Sequence, residues 1–104
     1  MKYEVKDGVA IIPQGTTVID LWAFRGNSEL RSVVIPEGVT AIGNAAFEQC
    51  RALESVVLPS SMTKFESFAF CDCTSLREII IPANVKYIHN AAFSGLTSLE
   101  RIVV

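Results

Sequence analysis

The fold is decided by residues 36–58, which read PEGVTAIGNAAFEQCRALESVVL. The pattern of this stretch recurs every 23 residues along the chain, in four columns that share one register. These columns hold a proline (Pro13, Pro36, Pro59, Pro82), an alanine (Ala23, Ala46, Ala69, Ala92), a phenylalanine (Phe24, Phe47, Phe70, Phe93) and a leucine (Leu30, Leu53, Leu76, Leu99). A fixed period of this length predicts a solenoid, in which each unit stacks on its neighbours and the stack buries a continuous core.

The period divides the whole chain into one cap and four repeats. The repeats are predicted at residues 13–35, 36–58, 59–81 and 82–104, and the cap at residues 1–12. Within the cap, two short apolar runs flank the turn Asp7-Gly8, which predicts a β-hairpin. Its second arm should add a strand to the stack, and its first arm should cover the open N-terminal end, which a solenoid needs for solubility.

Each repeat carries one predicted strand and one predicted helical turn. The repeats end in triplets rich in β-branched residues, such as Val33-Val34-Ile35, which favour strands that stack in parallel about 4.8 Å apart. In the second repeat Ala46, Phe47, Cys50 and Leu53 follow the spacing of one helical face. Asn44, which opens that stretch, is a typical N-cap residue. We therefore predict a short helix or helical turn at about residues 44–50 and at the equivalent positions.

Three phrases of the sequence resemble the BspA-like leucine-rich repeats: residues 35–39 (IPEGV), 41–50 (AIGNAAFEQC) and 69–76 (AFCDCTSL). The resemblance covers residues 13–104, although Asn27 and Leu96 depart from its cysteine column. It implies a right-handed solenoid and, for many relatives, surface-displayed adhesion or host-protein binding in bacteria and some protists. With the pattern above, it predicts an α/β fold: a right-handed leucine-rich-repeat solenoid with short parallel strands on one side, short helical turns on the other and an N-terminal hairpin cap.

Composition narrows the classes of partner. Half of the 104 residues are hydrophobic and 19% are charged, as in a folded single domain. Nine basic and eleven acidic residues give a net charge of −2 without a run of either sign, which argues against nucleic acid and anionic membranes as partners. The apolar runs are too short for membrane insertion, and residues 1–6 lack the apolar core of a signal peptide. The compartment is left open, and the cell surface is indicated by the resemblance alone.

No catalytic site is predicted. Asp20 and His89 share a column but lie three turns apart, roughly 14 Å, too far for a catalytic hydrogen bond. Glu66 and His89 are column neighbours, and a surface ion pair explains them better than catalysis.

A further column alternates in charge along the stack. It consists of Arg31, Glu54, Arg77 and Glu100. We expect weak pairs between neighbouring repeats, whose main effect is to fix the register of the stack.

The three cysteines indicate core packing rather than metal binding. Cys50 and Cys73 occupy a core-facing column, where a small buried thiol is usual. Cys71 and Cys73 point in different directions and lack the two further ligands that zinc requires. We expect reduced thiols, no metal site and no cofactor.

The strand triplets predict one outward-facing apolar stripe. Side chains alternate faces along a strand, so Val34 points outward if Val33 and Ile35 point inward. The stripe comprises Ile11, Val34, Val57, Ile80 and Val103, is about 19 Å long, and is flanked by Ser32, Ser55, Glu78 and Arg101. An apolar stripe with a polar rim is typical of a binding surface, although strand propensity alone would explain these residues equally well.

The C-terminal repeat offers a second candidate surface. The sequence stops at Val104, so Phe93, Leu99, Ile102 and Val104 are expected to be partly open and able to form a tail-to-tail homodimer. The function predicted from these features is a non-catalytic module for protein recognition or self-assembly. Two alternatives remain open: a repeat fragment of a larger cell-surface adhesin with no separate function and, more remotely, a hydrolytic enzyme.

Overall fold

The chain winds into a β-solenoid of about four coils, seen in a computed structural model that describes residues 3–104. Residues 1–2, which belong to the predicted cap, lie outside the described residues. The strands are β1 (Glu4–Lys6), β2 (Val9–Ile11), β3 (Val18–Ile19), β4 (Ser32–Val34), β5 (Ala41–Ile42), β6 (Ser55–Val57), β7 (Lys64–Phe65), β8 (Glu78–Ile80), β9 (Tyr87–Ile88) and β10 (Arg101–Val103). Over residues 3–104 there is no helix of the length and apolar character needed to cross a membrane.

The strand side of the solenoid is built from the apolar triplets that end each repeat. β1 pairs antiparallel with β2 as a hairpin, and β2, β4 and β6 continue the sheet in parallel. β8 pairs in parallel with β10, so that Ile79 lies opposite Ile102. Within residues 3–104 no ladder joins β6 to β8, although the two strands are neighbours. The hydrogen-bonded ladder on the strand side is therefore interrupted between the second and third coils, where the two strands still lie next to each other.

A second parallel sheet runs along another side of the coils. It joins β3, β5, β7 and β9 in order, with Ile42 opposite Phe65 and Phe65 opposite Ile88. Ile19, Ile42 and Phe65 point into the core and are fully buried. The sequence analysis did not identify this sheet, because two-residue strands are too short to show an alternating pattern.

The prediction of a helix at residues 44–50 and its equivalents is wrong. This stretch forms successive turns, and Ala45 and Gln49 have φ angles of 55° and 59°. The same left-handed conformation recurs at Trp22, Phe68, Asp72 and Ala91 and at two glycines, Gly26 and Gly95. A right-handed helix has negative φ throughout, so these positions interrupt it in every repeat. The fold is all-β, and the α component of the predicted class is absent from the described residues.

Backbone hydrogen bonds on this turn side alternate between the coil itself and the next coil. The Ala46 N–H donates to Gly43 O within the coil at 3.2 Å, whereas the Phe47 N–H donates to Ala69 O of the next coil at 2.9 Å. Successive turns of this kind place side chains at three- and four-residue steps, which is why the sequence pattern resembled a helical face. The turn side is thus a ladder between coils, like the two sheets.

The core is a stack of aromatic rings. Phe24, Phe47 and Phe70 stack with ring centroids 5.1 Å apart, and Phe93 continues the stack 5.9 Å from Phe70. Tyr3 of the hairpin lies 5.2 Å from Phe24 and extends the stack at its N-terminal end. The cap therefore continues the core column as well as the sheet.

The cysteine column fixes this stack to the backbone. The Cys50 thiol donates to Phe24 O and the Cys73 thiol donates to Phe47 O, each at 3.0 Å. In the first repeat Asn27 replaces cysteine, and its side-chain oxygen accepts the N–H groups of Glu29 and Leu30 at 2.9 and 3.0 Å. The cysteines thus bond to a backbone oxygen of the preceding coil, whereas Asn27 bonds to backbone groups of its own coil.

Candidate binding surface

The outward stripe lies on the strand side of the coils. Val34 is 63% exposed and the neighbouring Val33 is 1% exposed, and the same contrast holds for Ile80 at 56% and Ile79 at 1%. Ile11 and Val57 are also exposed, whereas Val103 is half-buried. The strand register sets Val34 beside Val57 and Ile80 beside Val103. The triplets thus place one apolar side chain of each coil toward solvent.

The polar rim of the stripe is partly paired. Ser55 and Arg101 are exposed, and Ser32 and Glu78 are half-buried. Arg101 Nη2 lies 2.9 Å from Glu78 Oε1, which ties the last two coils together. An exposed pair of this kind contributes little to stability, so it positions the rim more than it stabilises the fold.

A cleft lies in this surface where the ladder between β6 and β8 is interrupted. The cleft has a volume of about 260 Å³, and its walls include Glu54, Ser55, Val57, Arg77, Glu78 and Ile80. The inward-facing Val56 beside it is only half-buried, whereas Val33 and Ile79 at the same position of other coils are buried. No sequence pattern marks this cleft, because every strand triplet there fits the repeat.

The charged column does not form the predicted pairs. Within residues 3–104, no ion pair joins Arg31, Glu54, Arg77 and Glu100 to one another. Arg31 instead donates from Nη2 to the backbone oxygen of Asp7 at 3.2 Å, which holds the hairpin turn. Besides the Arg101–Glu78 pair, an inter-coil ion pair lies on the turn side, where Arg25 Nε is 2.7 Å from Glu48 Oε1.

The end of the last coil exposes residues that are core in the other coils. Ile102 is 54% exposed, although Ile79 in the same column is 1% exposed. Phe93 and Leu99 are half-buried, and Val104 is exposed. These four apolar side chains lie in the last coil.

A small titratable cluster lies on the second sheet. Glu66 Oε2 is 2.9 Å from Lys64 Nζ, and Glu66 Oε1 is 4.0 Å from His89 Nε2. The expected pairing of Glu66 with His89 is therefore confirmed, with Lys64 as a closer partner. Lys64 is thus the nearer cationic partner of the Glu66 carboxylate, and a partly exposed pair of this kind contributes little to stability.

The cysteines are buried free thiols. Burial raises the pKa of Cys50 to about 12 and raises that of Cys73 as well. Burial and the neighbouring Asp72 carboxylate also raise the pKa of Cys71. Thiols that stay protonated at neutral pH are poor nucleophiles and poor metal ligands. Among the described residues, no three histidine, cysteine, aspartate or glutamate side chains come together to hold a metal ion.

A second concavity lies at the N-terminal end of the second sheet. It has a volume of about 370 Å³ beside β3 and is lined in part by Tyr3, Thr16, Thr17, Val18 and Asp20. The Tyr3 hydroxyl reaches Asp20 Oδ2 at 3.5 Å. This hollow follows from the position of the hairpin, which covers the strand side but does not extend the second sheet.

The stacked parallel strands, the ladder of turns and the continuous aromatic column define a β-solenoid repeat protein. The chain belongs to the BspA-type leucine-rich repeat family. The family model described as "BspA type Leucine rich repeat region (6 copies)" matches residues 8–104. A comparison with curated proteins finds no match.

Solved bacterial leucine-rich repeat structures are similar to this chain. A leucine-rich cell surface protein from Faecalibacterium prausnitzii is 42% identical with a TM-score of 0.74, over 77% of this chain and 21% of that protein. The pneumococcal vaccine antigen PcpA is 32% identical with a TM-score of 0.89, over 92% of this chain and 24% of the antigen. A leucine-rich repeat protein from Bacteroides capillosus is 26% identical with a TM-score of 0.78, over 97% of this chain and 91% of that protein. The chain thus spans between a fifth and a quarter of the first two proteins.

Proposed function

We propose that this chain is a non-catalytic protein-recognition module that binds its partner on the strand side. The observation that carries the proposal is the outward-facing stripe on the stacked strand triplets, formed by Ile11, Val34, Val57, Ile80 and Val103. Apolar side chains on a rigid scaffold lose little conformational entropy when they bind, which favours recognition.

The family relationship supports a place for this module at the cell surface. The similar Faecalibacterium protein is described as a cell surface protein, and PcpA as a vaccine antigen. Because those proteins are about four to five times longer than the matched region, we propose that this solenoid acts as one recognition segment of a surface-displayed protein. This proposal differs from the alternative of an adhesin fragment with no separate function, because it assigns partner binding to these repeats themselves.

The proposal is tested by finding which side of the solenoid binds peptides that were selected on the whole chain without choosing a surface in advance. Peptides enriched from a random phage-displayed library on the native chain would be measured against Val57→Asp and Leu21→Asp. The two residues are a matched pair, 52% and 56% exposed, on the strand side and the turn side. We expect Val57→Asp to weaken most enriched peptides at least about tenfold and Leu21→Asp to leave them unchanged. The opposite ranking would place the recognition surface on the turn side.

A second candidate function, self-association through the last coil, is favoured by the exposure of Ile102. Two copies that meet tail to tail would cover Phe93, Leu99, Ile102 and Val104 on both chains, and a two-fold dimer is the commonest closed assembly. In a longer chain, the same surface would receive the next coil.

Light scattering behind a sizing column tests self-association of residues 1–104. A dimer that Ile102→Lys disperses and Val57→Asp preserves would support the tail-to-tail arrangement. A chain that remains at 11.4 kDa at high concentration would contradict it.

A further inference from the structure

One column of the turn side alternates between aromatic residues and alanine. It consists of Trp22, Ala45, Phe68 and Ala91, one residue from each coil. All four adopt the left-handed conformation, with φ angles between 55° and 61°. The two alanines show that the fold itself requires no large side chain at this position. The aromatic rings of the first and third coils therefore need an explanation beyond the repeat.

Both rings lie outside the aromatic core of the solenoid. Trp22 is 59% exposed and Phe68 is 38% exposed, whereas Phe47 of the central ring stack is fully buried. Within residues 3–104, neither Trp22 nor Phe68 stacks on another aromatic ring. Exposed aromatic side chains are enriched at protein-recognition sites, where they act as anchors for the partner.

The column holds the two rings at a fixed spacing. Trp22 N–H donates to Asn44 O and Ala45 N–H donates to Ser67 O, each at 3.0 Å, so the three coils stack directly at this point. Two steps between stacked coils, each about 4.8 Å, place the Cα atoms of Trp22 and Phe68 about 10 Å apart. Ala45 lies between them and is only 3% exposed. A ligand on this surface therefore meets two aromatic side chains on one line along the stack.

Arg25 restrains the first of these rings. Its guanidinium carbon lies 6.0 Å from the centre of the Trp22 ring, and its Nε is 2.7 Å from Glu48 Oε1 of the next coil. A cation over an aromatic face attracts the ring, and here the cation is itself held by a carboxylate. A ring that is restrained before binding loses less conformational entropy when a ligand packs on it.

Free side-chain donors accompany the rings. The indole N–H of Trp22 and the side-chain amide of Asn44 have no hydrogen-bond partner in the described part of the chain. Asn44 is exposed and precedes Ala45, so it belongs to the coil between the two aromatic residues. The surface therefore suits a ligand that brings apolar rings together with unpaired hydrogen-bond acceptors.

We propose that this surface binds a proline-rich segment of another protein in the polyproline II conformation. Such a helix has three residues per turn and rises about 3.1 Å per residue, so residues i and i+3 lie on one face about 9.3 Å apart. This distance matches the spacing of Trp22 and Phe68. Two prolines three residues apart pack on the two rings. Backbone oxygens of the segment, which have no internal hydrogen bonds in this helix, accept from the indole N–H and from Asn44.

Other regular segments fit this surface less well. On one face of an extended strand, side chains recur about 6.7 Å and about 13 Å apart, and neither distance matches the two rings. An α-helix places residues i and i+7 about 10.5 Å apart, but its backbone oxygens are bonded within the helix and leave the two donors unused. A polyproline II segment meets both the spacing and the donors.

Trp22 is the only tryptophan of the chain, so tryptophan fluorescence reports on this surface. We expect acetyl-octaproline-amide to change the emission saturably, with a Kd of about 1 mM. Two blocked heptapeptides of equal composition test the spacing. Pro-Ala-Ala-Pro-Ala-Ala-Pro has prolines three residues apart, and Pro-Ala-Pro-Ala-Pro-Ala-Ala has none at that spacing. The first should bind at least about threefold more tightly than the second.

Phe68→Ala removes the second ring and keeps the fluorescent one. The substitution gives the third coil the residue that the second and fourth coils carry, so the fold should be retained. We expect octaproline to bind this variant at least about fivefold more weakly. Tyr87→Ala is the matched control, because Tyr87 is as exposed as Trp22 but lies on the second sheet. Val57→Asp, on the strand side, should also leave octaproline binding unchanged.

Absence of a saturable emission change with octaproline would overturn the proposal. Equal affinities of the two heptapeptides, or an undiminished affinity in Phe68→Ala, would overturn it too. A response to cellohexaose and not to the peptides would assign the rings to carbohydrate stacking instead. An emission shift that depends on protein concentration alone would assign them to a second copy of the chain. None of these outcomes bears on strand-side recognition, which Val57→Asp tests separately with the library peptides.

Discussion

We call the place where one coil stacks on the next a joint. The joint between the second coil (residues 36–58) and the third coil (residues 59–81) differs between its strand side and its turn side. On the strand side, β6 and β8 are adjacent but unpaired. On the turn side, Phe47 N–H donates to Ala69 O at 2.9 Å and Gln49 N–H donates to Cys71 O at 2.7 Å, and in the second sheet β5 pairs with β7. Each coil is thus held to the next at three places, so one of them can open without separating the coils.

Stacked aromatic rings contribute more to holding the coils together than the hydrogen bonds of the strand side do. A backbone hydrogen bond has a net contribution of only about 1 kcal/mol, because the unfolded chain bonds to water instead. A buried aromatic ring contributes several times as much. The open joint keeps its rings, since Phe47 and Phe70 remain stacked at 5.1 Å.

Among the changes considered, removal of an aromatic ring from the middle of the stack should lower the free energy of unfolding the most. Phe47 has a ring on each side and is fully buried, so we expect Phe47→Ala to lower the free energy of unfolding by about 3–5 kcal/mol. Phe93 is half-buried at the end of the stack, and Phe93→Ala should cost less, about 1–3 kcal/mol. Urea midpoints of both variants decide this, with exposed Glu29→Ala as the control. A larger loss in Phe93→Ala would mean that the ring column is not the continuous core.

Aspartate substitutions at three valines of the strands should lower the free energy of unfolding by different amounts, according to how deeply each valine is buried. Val33 is buried at a closed joint, so Val33→Asp should destabilise by about 3–5 kcal/mol through an unpaired buried charge. Val56→Asp should cost less, because Val56 is half-buried beside the cleft and water can reach the carboxylate. Val57→Asp should change stability by about 0.5 kcal/mol or less, as at an ordinary surface position. Thermal unfolding followed by circular dichroism gives the ranking, and equal losses at Val33 and Val56 would argue that the joint is closed.

The sequence predicted those features that recur identically in every repeat. The family, the phenylalanine column and the alternation of Val33 and Val34 all depend on a single period of 23 residues. The turn side was misassigned because successive turns share the three- and four-residue spacing of a helix. A better signal was present at Gly26 and Gly95, which share a column and both adopt positive φ.

The cleft could not be predicted, because it departs from the repeat rather than following it. Ser55-Val56-Val57 and Glu78-Ile79-Ile80 are both ordinary strand triplets, and the pairing rule of the other coils would join them. Whether a joint closes depends on side-chain volumes summed across the core, a property of the packed structure rather than of any local pattern.

The pH dependence of the unfolding free energy tests whether the thiols of Cys50 and Cys73 are equally buried at two successive joints on the turn side. Cys50 is bonded to Phe24 O across the first of these joints and Cys73 to Phe47 O across the second, and burial raises the pKa of both from the ordinary value of 9.0. The stabilisation from each protonated thiol is complete below pH 9 and is lost as the pH rises toward the folded-state pKa. Above pH 9 each thiol should therefore steepen the loss of unfolding free energy by about 1.4 kcal/mol per pH unit.

The measurement is the slope of unfolding free energy between about pH 9 and pH 11 in the native chain, Cys50→Ala and Cys73→Ala. We expect both variants to lose the same slope, whatever their stability at neutral pH. A slope unchanged by Cys73→Ala would mean that its thiol ionises in the folded state and that the turn side of the second joint is open.

Hydrogen exchange should show the difference between the two joints at single amides. The N–H groups of Arg77 and Glu78 face the open joint, whereas those of Glu54 and Ser55 are bonded to Arg31 O. We expect the first pair to exchange at least about tenfold faster after correction for sequence, which corresponds to about 1.4 kcal/mol of opening free energy. Equal protection of the two pairs would show that the strand-side ladder is closed at this joint as well.

The same exchange experiment can test why the joint is open. The third coil carries Met62 and Phe65 in the core columns where the second coil carries Val39 and Ile42, and all four side chains are fully buried. Extra core volume displaces the backbone when the surrounding packing cannot absorb it. The double variant Met62→Val, Phe65→Ile gives the third coil the residues of the second at these two core positions, so we expect exchange at Arg77 and Glu78 to slow by about threefold to tenfold as β8 approaches β6. Exchange at Glu54 and Ser55 serves as the internal reference and should not change. If all four amides exchange faster, the large side chains support this part of the stack rather than hold its strands apart.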